Sequence, residues 1–155
     1  MEIEKKYMIK QLPGNIRNGV AISQGYVVSE GGKELRIRKK ADQCYLTAKG
    51  DGNLSREEWE VEIPEWVFDI LWPKTEGHRV EKVRYAVPTS DGLVMEFDEY
   101  SGNLKGLLTL EIEFPSEDKA NAFALPSYIV GIDVTCDKRF KNKNLATIGS
   151  IKLLV

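Results

Sequence analysis

Leu107-Leu108-Thr109-Leu110-Glu111-Ile112-Glu113-Phe114 alternates with a period of two. In an extended chain, successive side chains point to opposite faces. Leu108, Leu110, Ile112 and Phe114 therefore share one face, and Thr109, Glu111 and Glu113 share the other. The same rhythm recurs upstream. Residues 93–100 set Glu96 and Asp98 against Met95 and Phe97, and residues 80–87 put Lys82 and Arg84 on one face. Residues 57–63 oppose Glu58, Glu60 and Glu62 to Trp59, Val61 and Ile63, and residues 43–49 oppose Tyr45, Thr47 and Lys49 to Cys44, Leu46 and Ala48. Residues 34–39 turn Arg36 and Arg38 away from Leu35 and Ile37, and the first segment turns Glu2, Glu4 and Lys6 away from Ile3, Lys5 and Tyr7. With the moderately apolar stretch 21–29, this makes eight candidate strands.

Turn chemistry separates them at Pro13-Gly14-Asn15, Gly31-Gly32, Gly50-Asp51-Gly52-Asn53, Ser90-Asp91-Gly92 and Ser101-Gly102-Asn103. Helices are expected at 65–72, 116–123 and 137–146, the last strongly basic. Eight short strands in 155 residues point to a mainly β (α+β) fold. The expected form is one domain over 1–155, a closed eight-stranded antiparallel β-barrel with a few surface helices.

Charge is nearly balanced, with 22 basic and 24 acidic residues and a formal net charge of -2. That balance argues against a duplex nucleic-acid partner. The lack of a long apolar run or signal-like N-terminus argues against a membrane partner. Cys44 and Cys136 have neither disulfide-framework nor metal-finger spacing, so the expected location is cytoplasmic. A single histidine, His78, leaves little for a zinc site or a histidine-based triad. Gly50 and Gly52 lack the context of a P-loop and read as a hairpin turn.

The polar faces carry same-sign pairs at i and i+2: Glu2/Glu4, Arg36/Arg38, Glu58/Glu60, Lys82/Arg84, Glu96/Asp98 and Glu111/Glu113. Such neighbours stand about 7 Å apart and repel. The ordinary reading is a solvated outer face, neutralised across strands. Repetition on nearly every strand favours the alternative, in which these faces point into a wide barrel and the apolar faces pack outward under helices, burying Trp59, Phe97 and Phe114. Carboxylates collect hard cations such as Mg2+ or Mn2+. Arginine and lysine collect phosphates. Both together suit a metal-bound polyphosphate, and phosphoryl transfer needs no histidine or cysteine nucleophile.

Glu2-Ile3-Glu4-Lys5-Lys6 forms an E-x-E-x-K pattern. Leu35-Arg36-Ile37-Arg38, Leu46-Thr47-Ala48-Lys49 and Ser55-Arg56-Glu57-Glu58-Trp59-Glu60 follow it. Then come Glu81-Lys82-Val83-Arg84-Tyr85, Glu96-Phe97-Asp98, Leu110-Glu111-Ile112-Glu113-Phe114, Asp133-Val134-Thr135 and Asp137-Lys138-Arg139-Phe140-Lys141-Asn142. In this order, over essentially the whole chain, the segments resemble the CYTH domain or triphosphate tunnel metalloenzyme superfamily. The likeness is greatest to short bacterial members similar to inorganic tripolyphosphatases.

The resemblance implies a triphosphate tunnel with a C-terminal plug helix. It implies metal ligands at Glu2 and Glu4, with Glu111 or Glu113 from a late strand, and Glu96 and Asp98 as further acids. Lys6, Arg36, Arg38, Lys49, Lys82 and Arg84 match the phosphate-gripping residues, joined by Arg56 and, from the plug, Lys138 and Arg139, with Lys141 and Lys143 as alternatives. Glu58, Glu60, Asp98 and Lys82 match the positions nearest the chemistry. The implied activity is metal-dependent hydrolysis of a small-molecule triphosphate, most simply inorganic tripolyphosphate, by a monomer or homodimer. The alternatives are a class IV-like adenylate cyclase, a thiamine triphosphatase and a non-catalytic polyphosphate-binding module. A lipocalin-like barrel is contradicted by the charged faces.

Overall fold

The computed structural model describes residues 3–50 and 58–154. It contains nine strands: β1 (Ile3–Ile9), β2 (Val20–Glu30), β3 (Lys33–Lys40), β4 (Gln43–Lys49), β5 (Glu58–Ile63), β6 (Arg79–Pro88), β7 (Val94–Tyr100), β8 (Leu108–Phe114) and β9 (Gly131–Asp133). They form one antiparallel sheet in the order β5-β4-β3-β2-β6-β7-β8-β1-β9. The eight strands expected from alternation are all present. Short β9, which pairs with Tyr7–Ile9 of β1, is the addition. Among the described residues the hydrogen-bonded order begins at β5 and ends at β9.

Local chemistry sets the hairpins. Gly31 and Gly32 both take positive φ, which the tight β2–β3 turn requires and side chains resist. A register shift between Tyr26 and Val28 bends the long strand β2. Next to it Gly25 has no Cβ, which would lie 2.5 Å from the Thr75 hydroxyl oxygen. The 3₁₀ turn Trp72–Thr75 can therefore press against the strand.

Among the described residues the registers place the paired charges of six strands on one face. Arg38 lies opposite Gln24 and Tyr45, Arg36 opposite Tyr26 and Thr47, and Glu60 opposite Thr47. Arg84 lies opposite Asp98, Glu96 opposite Glu111, and Glu111 opposite Lys6. This face curls inward. Glu4 and Lys6 of β1, Arg36 of β3, Lys49 of β4 and Glu111 of β8 line a single cavity of about 330 Å³, although β1 and β4 stand near opposite ends of the sheet order.

The apolar faces pack outward in separate clusters. On the outer side of β1, β7 and β8, Tyr7, Ile9, Phe97, Leu110, Ile112 and Phe114 pack under α2 (Glu117–Ala122) and the segment after it, with Ala120 and Ile129. On β3 and β4, Ile37 and Cys44 are covered by Phe68 of α1 (Glu65–Leu71). A third cluster stops one end of the interior: Tyr26, Val80 and Tyr100 meet Leu104, Leu107, Val134, Phe140, Leu145 and Leu154.

Two expectations need correction. The basic helix expected over 137–146 is broken into a 3₁₀ turn, Lys138–Phe140, and α3 (Asn142–Leu145). Lys141 between them is extended (φ −70, ψ 140), and this break lets both Phe140 and Leu145 enter the plug cluster. Trp59 is 58% exposed, because β5 ends the sheet order and α1 lies over β3 and β4.

Phe97 has no exposed surface. Phe97→Ala should lower unfolding free energy by about 3–5 kcal/mol, read as a fall in the urea midpoint with unchanged m-value.

Candidate active site

The interior is organised around Asp98, whose side chain is 0% exposed. Its Oδ1 accepts from Arg84 Nε at 2.8 Å, and its Oδ2 accepts from Arg84 Nη2 at 2.8 Å. Lys82 Nζ stands 2.8 Å from the same Oδ2. Arg84 also donates to Glu96 Oε2 and to Glu111 Oε2, each at 3.2 Å. Glu111 in turn holds Lys6, whose Nζ lies 3.2 Å from Oε1. Four strands thus supply one chain of alternating charge, which their registers place side by side.

Burial tends to raise the Asp98 pKa, but the Arg84 hydrogen bonds and the Lys82 and Arg84 charges outweigh it and hold the carboxyl below its usual range. Burial lowers the Lys82 pKa, opposed by Asp98 and assisted by the Arg84 charge. Burial also tends to lower the Arg84 pKa, but hydrogen bonding and charge from Asp98 raise it above the usual range, and Arg84 stays charged. Removing one partner of such a buried group strands the other charge and typically costs about 3–5 kcal/mol.

On the opposite wall the cations are less satisfied. Arg36 Nη1 reaches Glu34 Oε2 at 3.3 Å, but its Nε is buried without a partner. Arg38 Nε is likewise orphaned, and among the described residues no carboxylate lies within ion-pair distance of Arg38. Its pKa is lowered by burial and by the neighbouring Arg84 and Arg36 charges. Lys49 Nζ stands 3.8 Å from Glu58 Oε1, and Thr47 Oγ1 donates to Glu60 Oε1 at 2.9 Å. An arginine pair buried against its own repulsion is complementary to an anion.

Carboxylates gather at the β1–β8–β7 side. Glu4 lies directly opposite Glu113, and Glu96 directly opposite Glu111, in cross-strand positions where like charges repel. Carboxylate oxygens are the donors that a hard divalent cation takes. Among the described residues no three carboxylates converge closely enough to enclose one. Asp98 is set apart from the other expected ligands, since both of its oxygens are taken by Arg84 and Lys82. Glu2 and Arg56, also expected at the site, lie outside the described residues.

The plug brings Asp137, Lys141, Asn142 and Lys143 to the cavity wall, and neither Lys138 nor Arg139. The Arg139 side chain is 51% exposed and engaged with Asp137. Tyr26 and Thr135 also line the cavity. The signal for Tyr26 was parity with Ile22 and Gln24, masked by the register shift that follows it. His78 is exposed, with Nδ1 3.2 Å from the Glu76 carbonyl.

A curled antiparallel sheet with apolar faces outward and arginines, lysines and carboxylates inward has the architecture of the CYTH tunnel class. No family model matches the chain. It is 43% identical over 146 residues to the inorganic triphosphatase of Nitrosomonas europaea, covering 94% of this chain and 96% of that one. It is 38% identical over 147 residues to the inorganic triphosphatase of Acetivibrio thermocellus, covering 93% and 92%. A crystal structure of an inorganic triphosphatase superposes with a TM-score of 0.82 at 40% identity, covering 95% of both chains. A Hippeastrum protein, described as revealing a dominant triphosphatase activity, shares the fold at 18% identity (TM-score 0.55, covering 78% of this chain and 83% of that one). The chain belongs to the CYTH-type family of inorganic triphosphatases.

Asp98 is ionised in the fold below its unfolded pKa, so its stabilisation is complete above the ordinary aspartate value and lost as pH falls through the lowered one. Wild-type stability should therefore drop on acidification below about pH 4. Asp98→Asn should be less stable at pH 7 and show a shallower acid limb in urea titrations. An unchanged limb would mean that Asp98 does not carry this dependence.

Proposed function

We propose that the protein hydrolyses inorganic tripolyphosphate inside this interior with the help of Mg2+ or Mn2+, as a single tunnel domain acting in the cytoplasm. The observation that carries the reading is the buried, unpartnered Nε of Arg36 on the wall of a polar cavity of about 330 Å³, joined by the equally unpartnered Nε of Arg38 two residues along the same strand face. That volume lies at the small end of ligand pockets and suits a phosphate chain better than a nucleoside. The triphosphatase names of the relatives support the same chemistry.

In this reading Arg36 and Lys49, on the cavity wall, grip the phosphate chain from β3 and β4, with Arg38 further along the same face of β3, and Lys6 meets it from β1. Arg56, outside the described residues, belongs to the same group. Glu4, Glu113 and Glu111, with Glu2 from outside the described residues, would hold the divalent cation, and Glu96 stands next to Glu111. When bound, the cation neutralises phosphate charge and polarises the phosphoryl oxygens. Asp98 acts by fixing the Lys82 ammonium and the Arg84 guanidinium, which stabilise charge developing on the leaving pyrophosphate. Glu60, anchored through Oε1 by Thr47, orients a water for in-line attack on the terminal phosphorus, assisted by Glu58. The water oxygen bonds to phosphorus as the bridging P–O bond breaks, and the water proton passes to the Glu60 carboxylate.

Phosphate release from tripolyphosphate, ATP and thiamine triphosphate should be fastest from tripolyphosphate, and should cease in EDTA. Glu4→Gln should fall to the EDTA level. Arg38→Ala removes a charge-assisted contact of about 1.5–3 kcal/mol and should raise KM by roughly ten- to a hundredfold. Cyclic AMP and pyrophosphate from ATP would instead establish a cyclase, and metal-dependent binding without turnover would establish a binding module.

A further inference from the structure

Arg139 was expected in the tunnel, yet it does not line the cavity, and each of its three guanidinium nitrogens donates a hydrogen bond elsewhere. Nε donates to both oxygens of Asp137, at 3.0 and 3.1 Å, and Nη2 donates to Oδ2 at 2.6 Å. Nη1 donates to the Leu153 carbonyl at 3.1 Å. The Arg139 backbone N–H also donates to Asp137 Oδ1, at 3.1 Å. Leu153 precedes Leu154, which is 4% exposed and packs in one cluster with Phe140 and Leu145. The turn Ile151–Leu154 is thereby tied to the turn Lys138–Phe140 by the hydrogen bond from Arg139 Nη1 to the Leu153 carbonyl and by the packing of Leu154, while the bidentate pair with Asp137 fixes the direction of the guanidinium.

The other side of that turn reaches the interior. The Phe140 carbonyl accepts from Lys6 Nζ at 2.6 Å, shorter than the 3.2 Å from Nζ to Glu111. The Lys6 backbone is held too, its N–H donating to Thr135 Oγ1 at 3.0 Å and its carbonyl accepting from Val134 N–H at 2.8 Å. An ammonium has three donors. Phe140 and Glu111 fix two of them, so the third has a defined direction. The extended Lys141 that follows, together with Asn142 and Lys143, forms the adjoining cavity wall.

We infer that Arg139 is a positioning residue: by clamping the C-terminal turn onto the Asp137–Phe140 segment, it holds the Phe140 carbonyl where that carbonyl orients the Lys6 ammonium toward the substrate. The inference rests on the proposed reading of Lys6 as a phosphate contact, but the clamp itself does not depend on turnover. Two variants open it: Arg139→Ala, which removes the fork, and deletion of residues 151–155, which removes the Leu153 acceptor. Arg139→Lys retains charge without the fork and should recover only part of the effect.

Two readouts separate the possibilities. The first is the ¹H–¹⁵N resonance of the Lys6 ammonium, assigned by its disappearance in Lys6→Arg. Its protons should be protected from water exchange in the wild type and lose protection in both clamp variants. The second is kcat/KM for tripolyphosphate. Arg139→Ala should lower it about ten- to a hundredfold, the scale expected for a misplaced catalytic contact. In the Lys6→Arg background, where the ammonium is absent, the same change should cost less than about twofold. An unchanged Lys6 resonance in Arg139→Ala, or an equal loss of kcat/KM in both backgrounds, overturns the inference. A wild type that keeps its protected Lys6 resonance but releases no phosphate overturns the functional reading instead, and the resonance still decides the clamp.

Discussion

Asp98 has no water-exposed side-chain surface and is bonded on both oxygens, by the Arg84 fork and by the Lys82 ammonium. An ionised carboxylate in that position would be prohibitive alone, and so would either cation. Together they allow β6 and β7 to turn polar faces inward. From Arg84 the charge chain continues through Glu111 to Lys6, and through Lys6 to the backbone of the plug. The inside-out polarity of the sheet follows. Because much of the concave face is occupied by charge, hydrophobic burial takes place on the convex face, under α1, α2 and the segment after α2, and in the cluster that stops one end of the interior.

The two walls of the interior are unequal in a way that matches a metal-bound anion. On the β6–β7–β8–β1 wall, cations and carboxylates engage one another, and carboxylates of like charge stand opposite each other at the Glu4–Glu113 and Glu96–Glu111 positions. On the β3 wall, Arg36 and Arg38 retain buried N–H groups with nothing to donate to. A polyanion placed between them relieves the second wall, and a divalent cation relieves the first. Neither is as well served by a neutral ligand.

Strand polarity was legible wherever alternation was unbroken. Glu111 and Glu113, Lys82 and Arg84, and Glu58 and Glu60 each share a face by alternation alone, and the registers keep them together. Tyr26 could not, because the shift between it and Val28 breaks the period where the strand bends. Three-residue β9 is too short to carry a period at all. The C-terminal basic cluster offered four candidates without a pattern, and an extended Lys141 reverses what a continuous helix would have presented. Trp59 reads as core by residue type, but its burial depends on what lies beyond the last strand, which strand alternation does not encode.

The apolar packing is divided. The patch under α1 is built around Ile37, Cys44 and Phe68, whereas the patch beneath α2 is built on β1, β7 and β8, and the third closes the far end with the C-terminal turn. Apolar burial is therefore not pooled in one core, and each patch can be lost separately. Cooperative opening is expected to follow such boundaries. The α1 patch, with the smallest set of fully buried side chains, is the natural first unit to detach, and its loss would leave the Asp98 chain of charges intact. The opposite order, with the C-terminal turn leaving first, would uncover the interior while the rest of the sheet remained folded.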